Sequence, residues 1–265
     1  MTKIIEVPSA KNDYFFLKNT DSLSMAEVSF IGKVKKYVTE NKIYENIPAT
    51  TSEDVPYISV NKYFTKPGME IGRCIELDIT KAYWFMAYYA EIISEEIFKE
   101  GLQNKNLSKK CLLISLGNLA KREIVYSFDG KQYSKPKMTA PPITSNCFFY
   151  VALCIAEFIN KTRINLADWF VFYWVDALFF TYDEPKIMQM ALDFFKESGF
   201  EGKIYFIDKI EVTKKGLLVY SEDWAAKHGE REPVRFFSFF KTKRKDVIES
   251  DITDRLQKQT ENFNN

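Results

Sequence analysis

Two acidic residues stand where the chain is otherwise apolar. Asp78 lies in Glu76-Leu77-Asp78-Ile79-Thr80-Lys81-Ala82-Tyr83-Trp84, and Asp176 lies in Phe172-Tyr173-Trp174-Val175-Asp176-Ala177-Leu178-Phe179-Phe180. Each puts one carboxylate at the edge of a strand-like run. A desolvated carboxylate is costly unless it is paired or holds a cation. Two such groups, far apart along the chain, point to one shared divalent metal.

The elements that must position them are readable from hydrophobic period. Cys74-Ile75-Glu76-Leu77 reads as the end of a strand, whereas Ala82, Phe85, Met86 and Tyr89 recur at helical spacing, so Asp78 sits where a strand hands over to a helix. Trp169 to Thr181 is apolar and aromatic, rich in β-formers, and long enough for two short strands folded about its middle. Asp176 is the only charge inside it.

On these residues the chain resembles family B DNA polymerases, particularly the protein-primed branch of phages and linear plasmids. Asp78-Ile79-Thr80-Lys81-Ala82-Tyr83 looks like the D-x-x-S-L-Y of motif A. Asp176-Ala177-Leu178-Phe179 looks like the second half of motif C, Y-x-D-T-D-[SG]-x-x. The resemblance covers roughly residues 70–220. It implies an α+β fold: a right-hand, palm-like antiparallel sheet packed on helices, with a small fingers-like helical insertion. It also implies that Asp78 and Asp176 are catalytic metal ligands for Mg²⁺ or Mn²⁺, two cations about 4 Å apart serving an in-line displacement. Tyr83 would lie under the incoming sugar and reject a 2′-hydroxyl.

The match has departures. If Asp176 is the second Asp of motif C, Trp174 stands in place of the first; if it is the first, Leu178 replaces the second. The former is preferred, because a small residue and an apolar pair follow correctly. Glu76, Asp183 or Glu184 are candidate additional ligands. Lys109 to Arg122 reads as a helix with cations at both ends, lying where the family has K-x-x-x-N-S-x-Y-G. Lys110, Asn118, Lys121 and Arg122 supply nucleotide-binding chemistry there, Lys as a point charge and Arg as a fork. The spacing differs from the motif and its Tyr-Gly is missing. Lys214 and Lys215, at a turn downstream, are the nucleic-acid-binding candidates by the same resemblance. For the helix-end cations a solubilising role is the plainer account, and for Lys214 and Lys215 a Lys-rich surface turn explains them equally well.

Composition bounds the remainder. The chain has 265 residues, 46% of them hydrophobic, with 37 basic against 36 acidic residues, so it has material for a real core and no overall basic excess. Any nucleic-acid binding must come from local patches. Of its 23 Phe, 15 Tyr and 4 Trp, most belong to core and sheet. Phe236-Phe237-Ser238-Phe239-Phe240 beside Lys241-Thr242-Lys243-Arg244-Lys245 is the best base-stacking candidate. Cys74, Cys111, Cys147 and Cys154 form no C-x-x-C pair and read as buried thiols in a reducing, cytoplasmic setting. No signal-peptide pattern opens the sequence, and the longest apolar run, Cys147 to Ala156, is half a membrane span. With one histidine, His228, triad and zinc schemes are excluded, as are P-loop and Rossmann patterns.

In chain order, residues 1–55 hold a strand and an amphipathic helix from Ser24 to Asn41. Residues 56–240 form the palm-like domain, with a fingers-like insertion at about 85–125, and 241–265 is a charged tail. Tyr57 to Val60 and Met69 to Leu77 are predicted strands joined by a turn at Pro67-Gly68. Helices are predicted from Asp78 to about Ser94, from Ser94 to a stop at Gly101, from Ser145 to about Thr162, and from Pro185 to Gly199. A hairpin closed by Asp129-Gly130 is expected, as are strands at Lys203 to Ile207, Ile210 to Val212 and Leu217 to Tyr220.

The function implied is template-directed nucleotidyl transfer on a DNA primer-template with deoxynucleoside triphosphates, by a phage-type enzyme working inside a bacterial host. The chain is short for a proofreading domain and has little thumb, which suggests action beside another replication protein and not at a membrane. Two alternatives stand: a palm that has lost catalysis and binds nucleic acid or a replication protein, and an unrelated α+β interaction module in which Asp78 is a helix cap and Asp176 a turn residue.

Overall fold

The structure is a computed structural model that describes residues 2–7, 23–127, 137–166, 169–182 and 185–239. The predicted Asp129-Gly130 turn, Asp183, Glu184 and the 241–265 tail lie outside them. Two compact units emerge: residues 1–55 with 81–155, and residues 56–80 with 156–265.

The first unit holds strand β1 (Thr2–Val7) and helix α1 (Met25–Glu40), then α2 (Ala82–Tyr89), α3 (Glu95–Gln103) and α4 (Lys109–Gly117). Strands β4 (Arg122–Ser127) and β5 (Lys137–Met138) follow, and α5 (Ser145–Leu166) begins here. β4 is the middle strand of a three-stranded sheet ordered β1-β4-β5. α1 starts on a capping box: Ser24 and Glu27 bond reciprocally across the first turn. Glu27 is buried, and its second oxygen accepts from the backbone and hydroxyl of Ser108, the N-cap of α4, at 3.2 and 2.5 Å. One carboxylate thus ties the starts of two helices.

Two expectations are corrected here. The helix after Asp78 ends at Tyr89, well before Ser94. Gly101 does not stop α3, which runs on to Gln103. A Cβ at Gly101 would come 2.5 Å from the Trp84 indole and 3.0 Å from Leu112, so the glycine makes room for packing. Gly101→Ala is therefore expected to destabilise the protein by about 1–3 kcal/mol through overpacking, read by chemical denaturation. An unchanged midpoint would mean the indole moves aside freely.

The second unit is a seven-stranded, wholly antiparallel sheet ordered β10-β9-β8-β3-β7-β6-β2. Its strands are β2 (Ile58–Val60), β3 (Glu70–Ile79), β6 (Phe170–Trp174), β7 (Ala177–Thr181), β8 (Gly202–Val212), β9 (Gly216–Tyr220) and β10 (Val234–Ser238). Helix α6 (Pro185–Glu197) and the end of α5, which reaches Leu166 and not Thr162, lie beside the sheet, and α7 (Glu222–His228) links β9 to β10. Phe158 of α5 meets Phe194 and Phe195 of α6 with ring centroids 5.5 and 5.2 Å apart. On the other face the sheet curls. Phe237 of β10 packs at 5.5 Å on Phe179 of β7 and at 5.6 Å on Phe172 of β6, although three strands separate β10 from β7 in the sheet.

β2 and β3, predicted as turn-linked neighbours, sit apart: β2 pairs β6 at the sheet edge and β3 is central. The two strands expected at 203–207 and 210–212 are one strand, β8, because its whole length pairs with β3. The fold is a mixed α/β architecture built on an antiparallel sheet packed on helices, as the sequence implied.

Candidate functional site

Asp78 is the penultimate residue of β3, the central strand, and is half-buried. The chain leaves the strand through Thr80, whose N–H donates to the Glu201 carbonyl, and Lys81, which takes a left-handed φ of 54°. Lys81, with no side-chain cap bond, holds the N-cap position of α2. Asp78 is therefore not a helix cap, which removes that part of the interaction-module reading.

Asp176 lies at the tip of the β6–β7 hairpin. Trp174 pairs with Ala177, leaving Val175 and Asp176 as a two-residue loop. Val175 takes a φ of 56°, at a loop position that glycine usually fills. A β-branched residue there costs about 1–2 kcal/mol. The Val175 N–H donates to the Tyr57 carbonyl at 2.8 Å, which pins the tip to the segment entering β2.

β3 pairs with β7 so that Asp78 faces Ala177, and the Ile79 N–H donates to the Asp176 carbonyl at 3.1 Å. Two acidic residues 98 positions apart in sequence (176 − 78) thus have neighbouring backbones, Asp78 near the end of β3 and Asp176 in the turn one register step before Ala177. Among the described residues no three His, Cys, Asp or Glu side chains are grouped to hold a metal. A cation here would have two carboxylates. That suits Mg²⁺, which is commonly held by one or two carboxylates and completes its octahedron with water and substrate phosphates.

Residues absent from the sequence reading complete the surroundings. On β8, Lys203 pairs with Asp78 and Tyr205 with Glu76. The Tyr205 phenol is pushed up by burial first, then by the negative charges of Asp78 and Glu76. Lys227 lies over the Tyr205 ring at 5.3 Å, and His228 stacks on Trp224 at 4.6 Å. Glu76, proposed above as an extra ligand, is engaged elsewhere. It is 4% exposed, and both its oxygens accept from Arg235 of β10 in a fork, Oε1 at 3.0 Å from Nη1. The signal that could have found this pair is Glu76 itself, a carboxylate in mid-strand that needed a cation.

The other predicted residues are carried by other elements. Tyr83 is on α2 in the first unit, half-buried and stacked on Phe148 at 5.7 Å. Lys110, Asn118, Lys121 and Arg122 are in that unit too. The helix expected to reach Arg122 stops at Gly117, and a 3₁₀ turn follows over Asn118–Ala120. Arg122 opens β4, drawn into extended form by pairing with Val7 of β1. Lys214 and Lys215 are exposed at the β8–β9 turn. They lie about 30 Å along β8 from Lys203, at 3.3 Å per residue. Of the Phe236–Phe240 run, Phe237 is buried and Phe236 is 52% exposed. The four cysteines are free thiols. No helix among the described residues is long and apolar enough to cross a membrane.

No protein-family model matches the chain, and neither does any curated protein. Solved structures do. Phi29 DNA polymerase complexed with primer-template DNA and incoming nucleotide substrates matches with a TM-score of 0.50 and 10% identity, over 91% of this chain and 63% of that one. The same polymerase complexed with single-stranded DNA matches with a TM-score of 0.46 and 11% identity, over 91% and 64%. The chain spans less than two thirds of the length of these polymerase chains. The likeness is one of fold: this protein has a distant polymerase-like architecture.

Proposed function

We propose that the chain carries out template-directed nucleotidyl transfer as a pared-down relative of family B DNA polymerases of the protein-primed branch. The observation that carries the reading is the β3–β7 register, which sets Asp78 beside the hairpin tip bearing Asp176. In this reading Asp78 and Asp176 hold the divalent cations. When bound, the cations supply charge stabilisation to the attacking 3′-oxygen and the leaving pyrophosphate. Lys203, opposite Asp78, is exposed and offers a point charge to a phosphate of primer or nucleotide. Lys110, Lys121 and Arg122 supply charge for the triphosphate, Asn118 a hydrogen-bonding amide, and Lys214 and Lys215 meet the DNA backbone farther along β8.

One observation favours a second reading, a palm that binds nucleic acid without catalysis. Trp174, where motif C has its first Asp, packs edge-on against Phe237 at 5.3 Å and contributes no ligand. Primer extension with labelled nucleotide in Mg²⁺ or Mn²⁺ separates the two. Extension supports the first reading. Salt-sensitive binding of primed DNA without extension favours the second, and absence of both overturns the two together.

If extension is seen, Tyr83→Ala is expected to reduce discrimination against ribonucleotides by up to about 10²-fold, the scale on which a pocket rejects one added hydroxyl. The measurement is the ratio of kcat/KM for deoxy- and ribonucleotide. An unchanged ratio removes Tyr83 from the sugar site.

A further inference from the structure

We propose that Arg235 withholds Glu76 from the cation site at Asp78 and Asp176, and so keeps that site at two carboxylates; the inference rests on the metal-dependent reading above. Glu76 and Asp78 are two residues apart on one strand, so their side chains leave the same face, with Cα atoms about 7 Å apart. An uncommitted Glu76 carboxylate would be a natural third ligand. Arg235 takes both of its oxygens instead.

The guanidinium is held on several sides. It lies 4.3 Å over the Trp224 ring and 5.3 Å over that of Phe237, and the two side chains of the ion pair are 16% and 5% exposed. Its Nε is buried and has no hydrogen-bond partner in the structure, so the fork is directed wholly at Glu76.

Stability alone is a weak reason for the pair. A buried ion pair is often no better than apolar residues of the same volume, and Trp224 and Phe237 already supply apolar neighbours. Ligand number is a stronger one. A third carboxylate would bind the cation more tightly and fill a position that Mg²⁺ otherwise leaves to substrate phosphate. Arg235 is thus a positioning residue: it acts on Glu76, and through Glu76 on how many coordination positions stay open.

The test is Mn²⁺ binding, followed by the electron paramagnetic resonance of free Mn²⁺, with no nucleotide or DNA present. Arg235→Gln frees the Glu76 carboxylate and is expected to tighten Mn²⁺ binding about tenfold, as an added anionic ligand does. Removing the freed ligand in Glu76→Gln/Arg235→Gln should return the affinity to that of the wild type. Should Arg235→Gln not fold, Arg235→Lys keeps the charge but engages one oxygen, and a smaller gain is expected. Unchanged affinity in the folded Arg235 variant, with Asp78→Asn/Asp176→Asn abolishing Mn²⁺ binding, overturns this proposal alone. If Asp78→Asn/Asp176→Asn binds Mn²⁺ as the wild type does, the metal-dependent reading fails and takes this proposal with it.

Discussion

Asp176→Asn is expected to lose Mn²⁺ binding and to lower the rate of nucleotidyl transfer by about 10³-fold, the scale of removing one group that stabilises developing charge. The substitution is close to isosteric, and Asn is at home in turns. The bond that locks the hairpin to β3 uses the backbone carbonyl of residue 176 and survives the change. Thermal melting of the variant beside the wild type shows whether the fold is kept while the proposed metal site is lost. Asp78→Asn should behave alike, because the proposed reading makes it the other of the two carboxylate ligands. Single-turnover extension at saturating nucleotide, with Mn²⁺ titration on the same samples, separates lost chemistry from lost binding. Wild-type Mn²⁺ affinity in either variant would dismiss these residues as ligands.

Glu27→Ala is expected to destabilise the protein by about 2–4 kcal/mol, combining two weakened helix caps with the loss of charge-assisted hydrogen bonds. The hydrogen bond from the Ser108 hydroxyl, and next that from the Ser24 backbone, hold the Glu27 carboxyl at about 2 against a usual 4.5, outweighing the burial that raises it. A group whose folded pKa is depressed stabilises the fold fully above its unfolded value and loses that contribution as the pH falls through the folded one. Glu27 thus supports the fold above about pH 4.5 and progressively ceases to between there and about pH 2. Glu27→Gln keeps one acceptor and should sit between alanine and wild type at neutral pH, with a flatter dependence across that window. Urea denaturation at several pH values reads this directly. Parallel curves for Glu27→Gln and wild type below pH 4.5 would assign the acid sensitivity to other carboxylates.

The parts of the site that could be read from the chain are those written in short-range pattern. The switch from strand to helix period just past Asp78 and the folding of Trp169 to Thr181 into a hairpin each depend on a dozen or so residues, and both are found as expected. Features that depend on register were hidden. Arg235 meets Glu76 across 159 positions, and nothing in Val234-Arg235-Phe236 says which strand it will face. Arg122 was assigned to a helix because Leu112 to Ala120 invites one, whereas β1, over a hundred residues earlier, claims it for a sheet. Gly101 looked like punctuation because a missing side chain reads the same whether it breaks a helix or admits an indole. Tertiary packing settles such ambiguities, and local propensity carries no trace of it.

The central strand also has a bearing on how the chain matures. β3 is synthesised well before its partners β7 and β8, which begin at Ala177 and Gly202. Pairings this remote close slowly, and until they do the apolar strand lacks its neighbours. During translation Ile75, Leu77 and Ile79 must wait for more than a hundred further residues to leave the ribosome, an interval in which a chaperone is the natural companion of this half-built sheet.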